Sequence, residues 1–147
     1  MKINDRWTHY FMSLADVAAK QSKDPSTKVG CVISDPFDRT ISTGYNGPPR
    51  RLPDTSEILA NRELKLAVTL HAEMNAILFA QQDLAGCAIY VTHCPCTICA
   101  ALIIQSGIGI VIAGVGNDDF QVRWKDQIEL SKQMFHDSCV EYKEIER

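Results

Sequence analysis

Apolar positions along this chain repeat with two periods, and the switches between them mark out its elements. From Asp5 to Gln21, residues Trp7, Tyr10, Phe11, Leu14, Val17 and Ala18 fall at steps of three and four, the stripe of an amphipathic helix that covers one face of a sheet. Pro25 ends that register within Ser22–Lys28, a hydroxyl- and lysine-bearing segment compatible with either a solvated turn or a phosphate-binding loop. Val29–Ser34 then reads as a buried strand, Asp35–Asp38 as a turn and Thr40–Asn46 as its antiparallel partner. Gly47 with Pro48, Pro49 and Pro53 rules out regular structure in the next stretch, which also carries Arg50 and Arg51.

Asp54 or Ser56 is placed to cap a helix over roughly Glu57 to Leu66. The helix that follows His71 through Met74 and Ala76 to Ala80 is apolar nearly all round, which predicts burial. Gly86 opens a strand over Cys87–Thr92, and a helix from Cys96 runs through Ile104 to a glycine stop at Gly107. Ile108–Val115 is an almost unbroken apolar run, the mark of an interior strand. An exit loop through Asp119, an amphipathic helix over Val122–His136 and a charged edge strand over Ser138–Ile145 complete the chain. Strand, helix and strand in succession imply a crossover and hence a parallel final pair. The expected class is α/β: a three-layer α/β/α domain on a mixed five-stranded sheet, with residues 1–147 forming one domain.

Composition narrows the ligand more than the fold. The 147 residues suit one core; 46% apolar, 22% charged and a formal net charge of −3 leave no global basic field for a long nucleic acid. A nucleotide-sized partner fits better than a polymer. Met1–Tyr10 lacks the apolar centre of a signal peptide and no run reaches the length of a membrane span, so a cytoplasmic protein without membrane contact is expected. Three of six cysteines crowd into positions 94–99, which favours reduced, metal-binding thiols over a disulfide framework. Cys31, Cys87 and Cys139 lie in apolar, strand-like runs and read as small buried hydrophobes.

The candidate chemistry lies at His71-Ala72-Glu73 and Pro95-Cys96-Thr97-Ile98-Cys99. Catalytic zinc takes three protein ligands and keeps a fourth position open, and His71, Cys96 and Cys99 supply that number. Pro95, with no N–H to leave unpaired, suits the start of a helix whose positive end favours the two thiolates. Glu73 stands two residues from His71, not in the spacing of a metalloprotease helix, and is free to take a proton from a metal-activated water. His93 and Cys94 are chemically able to ligate but fall outside the Cys-x-x-Cys spacing, while His9 and His136 sit on amphipathic helices as surface or core histidines.

His-x-Glu followed by Pro-Cys-x-x-Cys is the signature of zinc-dependent nucleobase deaminases. Ser22-Lys23-Asp24-Pro25-Ser26-Thr27-Lys28-Val29-Gly30, Gly44-Tyr45-Asn46-Gly47-Pro48 and His71-Ala72-Glu73-Met74-Asn75-Ala76-Ile77 together resemble the deoxycytidylate deaminases of the cytidine deaminase superfamily over nearly the whole chain. The resemblance implies hydrolysis of dCMP to dUMP and ammonia, with a zinc-bound hydroxide attacking C4 and Glu73 carrying protons to N3 and then to the departing amine. It implies one Zn²⁺ per chain on His71, Cys96 and Cys99, since no further Cys or His stands at Asp24, Pro25 or between Arg50 and Leu70 for a second. Asn46 would meet the sugar hydroxyl, backbone around Ala72 the pyrimidine edge, and Ser22, Lys23, Thr27 and Lys28 the 5′-phosphate. It further implies a homo-oligomer, commonly a hexamer, activated by dCTP and inhibited by dTTP, with Mg²⁺ accompanying the triphosphate and dUMP passing to thymidylate synthesis. A tyrosine that touches substrate after the fourth strand in some relatives has no counterpart in Val115-Gly116-Asn117. The competing expectations are a deaminase of dCTP, cytidine or the free base, and a non-catalytic zinc-stabilised nucleotide sensor. A polynucleotide editor is disfavoured, because no basic, aromatic-interleaved track is present.

Overall fold

The computed structural model describes residues 4–147; the part of the leader reading that rests on residues 1–3 lies outside them. Helix α1 (Asp5–Ala19) precedes the hairpin β1 (Gly30–Ser34) and β2 (Thr40–Tyr45). Short helices α2 (Ser56–Ala60) and α3 (Arg62–Val68) lead to α4 (Ala72–Ala80), β3 (Ala88–Val91), α5 (Thr97–Gln105) and β4 (Ile110–Gly114). Helices α6 (Asp118–Arg123) and α7 (Lys125–Asp137) and strand β5 (Glu141–Ile145) follow. The strands form one sheet in the order β2-β1-β3-β4-β5. β1 is antiparallel to β2 and β3, whereas β3–β4 and β4–β5 are parallel, so the expected mixed sheet with a parallel last pair is present.

Strand alternation divides the core into two. Val32, Ala88, Tyr90, Ile110 and Ile112 face α1, where Phe11, Met12 and Ala15 meet them. Cys31, Ile33, Ile89, Val91, Val111 and Ala113 face the opposite layer of α4, α5 and α7, with Ala72, Ala76, Ala100, Ile103 and Phe135. Three layers result. Tyr10 and Val17, counted in the α1 stripe from spacing, are 48% and 57% exposed and lie outside the packed face.

Several boundaries depart from the sequence reading. The single helix expected over Glu57–Leu66 is two helices, because Asn61 leaves helical geometry (φ −90°, ψ 104°) and its side chain caps α3 through the Leu64 N–H at 3.1 Å. The cap of α2 is Thr55 rather than Asp54 or Ser56. The helix expected from Val122 starts earlier, at Asp118, and breaks at Trp124. α4 is not buried all round: Leu78 and Phe79 are 63% and 47% exposed. Cys139 is also not a buried strand residue, since it is exposed and turns the chain from α7 to β5 in the left-handed region at φ 58°.

Two glycines let helices lie directly on the sheet. A Cβ on Gly30 would fall 2.5 Å from Ala19 N of α1, and one on Gly44 would fall 2.7 Å from Ala76 N of α4. Both neighbours are backbone, which has no rotamer to yield. Gly44 also sets how near the sheet the helix beginning after His71 can lie. Gly44→Ala is therefore expected to destabilise the fold by about 2 kcal/mol or more through overpacking, read as a lower denaturation midpoint at an unchanged slope.

Candidate active site

The C-terminal ends of β2, β3 and β4 and the N-terminal end of β1 share one edge of the sheet, as their pairings require. Loops at that edge of a parallel sheet are where ligand crevices form. Here they bound a cleft lined on one side by Asp24, Ser26, Thr27, Val29 and Asn46, and on the others by residues of α3, α4, α6, α7 and the segment after β3.

Two helices begin at the floor of the cleft, and the residue preceding each bears a donor. His71 is the N-cap of α4 in extended geometry (φ −75°, ψ 159°) and Cys96 that of α5 (φ −68°, ψ 170°). Extended backbone turns both side chains out of their helices, while Cys99 comes one turn later from α5. His71 Nδ1 stands 3.4 Å from Cys96 Sγ and 3.4 Å from Cys99 Sγ. Around a tetrahedral zinc with ordinary bond lengths the N···S separation is about 3.6 Å. Two thiols and an imidazole are a donor set suited to zinc, so the three residues fit that ion both in spacing and in kind. Neither Cys94 nor His93 belongs to the cluster. Cys94 is buried with its thiol donating to Pro95 O at 3.6 Å, and the His93 ring packs on Phe120 with centroids 4.8 Å apart.

The electrostatics run in the same direction. A hydrogen bond from the Cys99 thiol, together with His71, holds the Cys96 thiol well below its usual pKa against the opposing effect of burial. The hydrogen bond with Cys96 also raises His71. Glu73, in the first turn of α4, is only 4% exposed yet lines the cleft, and burial raises its pKa. Ala72 is fully buried at the same helix start, where backbone N–H groups lack intrahelical partners.

The residues expected to face a phosphate separate into two groups. Thr27 and Lys28, with Ser26, line a polar rim at the mouth of the cleft. Ser22 is buried and donates its hydroxyl to Asn46 O at 2.8 Å, and Lys23 reaches away to Asp54 at 2.6 Å, so both support the loop from outside the rim. Asn46 lines the cleft, but its side chain already accepts from Val29 N–H at 2.8 Å and donates to Thr27 O at 2.9 Å, tying the loop to the end of β2.

Other cleft residues carried no local signal. Lys65 is 4% exposed and places Nζ 3.1 Å from Asp24 Oδ1 and 3.2 Å from Ser26 Oγ, across a sequence separation no motif spans. Arg62, Phe120, Arg123 and Trp124 also line the cleft. Phe120 and Trp124, one helical turn apart after β4, supply aromatic surface in the region where Val115-Gly116-Asn117 offered none. Their spacing beyond a strand that ends at the crevice was the available clue.

Comparison with known proteins places this geometry in a wider group. Residues 5–115 match the model of the cytidine and deoxycytidylate deaminase zinc-binding region. The chain is 46% identical over 136 residues to an uncharacterized deaminase in the luxG 3′ region of Aliivibrio fischeri, covering 92% of this chain and 91% of that protein. It is 40% identical over 114 residues to the deoxycytidylate deaminase of Homo sapiens, covering 72% of this chain and 63% of the human protein, so it spans under two thirds of that relative. The dCMP deaminase of cyanophage S-TIM5, solved with dCMP and dUMP, shares the fold at TM-score 0.77 and 22% identity, over 98% of this chain and all of that one.

The Asp24–Lys65 pair carries a stability consequence. Burial pushes the Asp24 pKa up, but the Ser26 and Thr27 N–H groups and Lys65 outweigh it and hold the carboxyl below its ordinary value. A carboxyl depressed on folding adds stability above its unfolded pKa of about 4, and that stability is lost as pH falls through the lower folded value. Lys65→Met, which strands a largely buried carboxylate, is expected to cost about 3 kcal/mol at neutral pH. Because the mutant carboxyl keeps the Ser26 and Thr27 N–H groups but loses Lys65, it is less depressed, and its stability is also expected to fall less on acidification, as read by urea denaturation from neutral pH downward.

Proposed function

This chain belongs to the cytidine and deoxycytidylate deaminase zinc-binding family, and on that premise we propose that it hydrolyses dCMP to dUMP and ammonia. The observation that carries the reading is a buried carboxylate, Glu73, beside three clustered donors at the floor of a cleft whose mouth holds Ser26, Thr27, Lys28 and Arg123. A purely structural metal site has no use for Glu73, and a site for an unphosphorylated base has no use for a rim of hydroxyls with Lys28 and Arg123.

His71, Cys96 and Cys99 would hold the zinc. Bound there, zinc would supply Lewis acidity that makes a water nucleophilic near neutral pH. Glu73 takes the proton released by the attacking water, delivers one to N3 of the pyrimidine, and carries the next to the amine as the C4–N bond breaks. Burial suits the carboxylate to this exchange, because it weakens the preference for the charged form that an exposed glutamate would have. The orphan N–H groups at the start of α4, beside Ala72, would bind the pyrimidine edge. Phe120 and Trp124 keep bulk water from the ring. Asn46, Ser22 and Lys23 would act through the loop they hold, and Thr27 and Lys28, which line the rim, would meet the phosphate.

The same reading takes residues 1–147 as one catalytic domain, cytoplasmic, assembling as a homo-oligomer, a hexamer. It includes dCTP as activator and dTTP as inhibitor, with Mg²⁺ on the triphosphate, and it sends dUMP toward thymidylate synthesis. Family resemblance is the support for these regulatory and pathway features. Among the described residues no helix is long and apolar enough to cross a membrane.

Glu73→Gln tests the assignment of the proton carrier. Zinc content by elemental analysis should stay near one per chain, while ammonia release from dCMP falls by about a thousandfold. Retained turnover would overturn the role of Glu73, and loss of metal together with activity would make it a ligand rather than a proton carrier.

A further inference from the structure

His93 belongs neither to the metal cluster nor to the loop, yet it lines both the floor of the cleft and its polar rim. Its surroundings settle which ring nitrogen bears the proton. Thr92 is 2% exposed, and its Oγ1 accepts from Gly30 N–H at 3.1 Å. The other partner of that hydroxyl is His93 Nδ1 at 3.0 Å. A buried hydroxyl that already accepts one hydrogen bond needs an acceptor for its own proton, and Nδ1 is the group in place. Nδ1 is therefore the unprotonated nitrogen, and Nε2 carries the hydrogen.

Phe120, against the ring at 4.8 Å, limits its rotation. Nε2 has no hydrogen-bond partner among the described residues, and it is not one of the buried polar atoms left without one, so it remains open to the cleft. Burial lowers the His93 pKa, which keeps the ring neutral and preserves this arrangement at physiological pH. The rim that Nε2–H borders offers hydroxyls at Ser26 and Thr27 and cations at Lys28 and Arg123, the last also paired with Asp119 at 3.1 Å.

We propose that His93 is a substrate-binding residue whose Nε2–H, fixed by the Gly30–Thr92–His93 hydrogen-bond chain, donates to a phosphate oxygen of the nucleotide and so selects nucleotide over nucleoside. The inference rests on the functional reading above. It adds a neutral, directional donor to a rim whose other contributions are flexible cations and hydroxyls. Such a donor rewards a phosphate at one distance from the pyrimidine, whereas lysine and arginine attract any anion.

The test compares the zinc-loaded parent with His93→Phe, which keeps a ring against Phe120 but has no N–H, and His93→Gln, which restores an N–H near the position of Nε2. The ratio of kcat/KM for dCMP to that for deoxycytidine should fall about tenfold in His93→Phe, the effect of one hydrogen bond to a charged group, and recover in His93→Gln. An unchanged ratio would overturn the proposal. Long-range ¹⁵N–¹H spectra of the parent read the other half: Nδ1 should appear unprotonated and Nε2 protonated, and the Nε2–H resonance should move with dCMP and not with deoxycytidine. The opposite tautomer, or an equal response to both ligands, would also refute it. A parent that releases no ammonia from dCMP would instead sink the functional reading, and His93 would then be judged on the resonance alone.

Discussion

Two helix starts converge at one edge of the sheet, and the site depends on that convergence. A residue that precedes a helix in extended geometry projects its side chain away from the helix, toward the region its unpaired N–H groups face. His71 and Cys96 both do so, and Cys99 is added by the first turn of α5. The donors are thus placed by backbone geometry. Gly44 permits α4 to lie close on β2, and β3 delivers the chain to Cys96, so the spacing of the three donors follows from how closely helices and sheet are packed.

Glu73 shares the start of α4 with His71 but not its task. Burial raises its pKa, and that shift supports the proton-carrying role proposed for it. The loop before β1 complements it from the other side. Asp24 accepts from the Ser26 and Thr27 N–H groups and from Lys65, Asn46 ties the loop to the end of β2, and Ser22 anchors the same junction from beneath. These bonds order the backbone of the loop that carries Thr27 and Lys28 to the rim.

Much of this was legible in the sequence, and the exceptions share a physical cause. Strands β1, β3 and β4 were readable because they are buried on both faces and show as continuous apolar runs. The donor set was readable because metal chemistry constrains residue type and short-range spacing together. The break at Asn61 was missed because α2 and α3 are mostly exposed and carry no apolar stripe to reveal a change of axis. Cys139 was misread because its position is set by the left-handed turn between α7 and β5, which its residue type does not advertise. Lys65 looked like an ordinary helix-surface lysine; its partner Asp24 lies 41 residues away, and only the tertiary fold brings them together. The roles of Ser22 and Lys23 were blurred for the same reason, since the pattern that marks a loop does not say which of its side chains turn inward.

In the proposed function, proton-carrying chemistry at the floor of the cleft is coupled to phosphate recognition at its rim. Steady-state ammonia release by the zinc-loaded protein with dCMP, deoxycytidine, cytosine and dCTP tests it most directly. The highest kcat/KM is expected for dCMP, with deoxycytidine at least about a hundredfold poorer, the combined effect of two or more charge-assisted contacts to the phosphate. Equal or better turnover of the unphosphorylated compounds would contradict it.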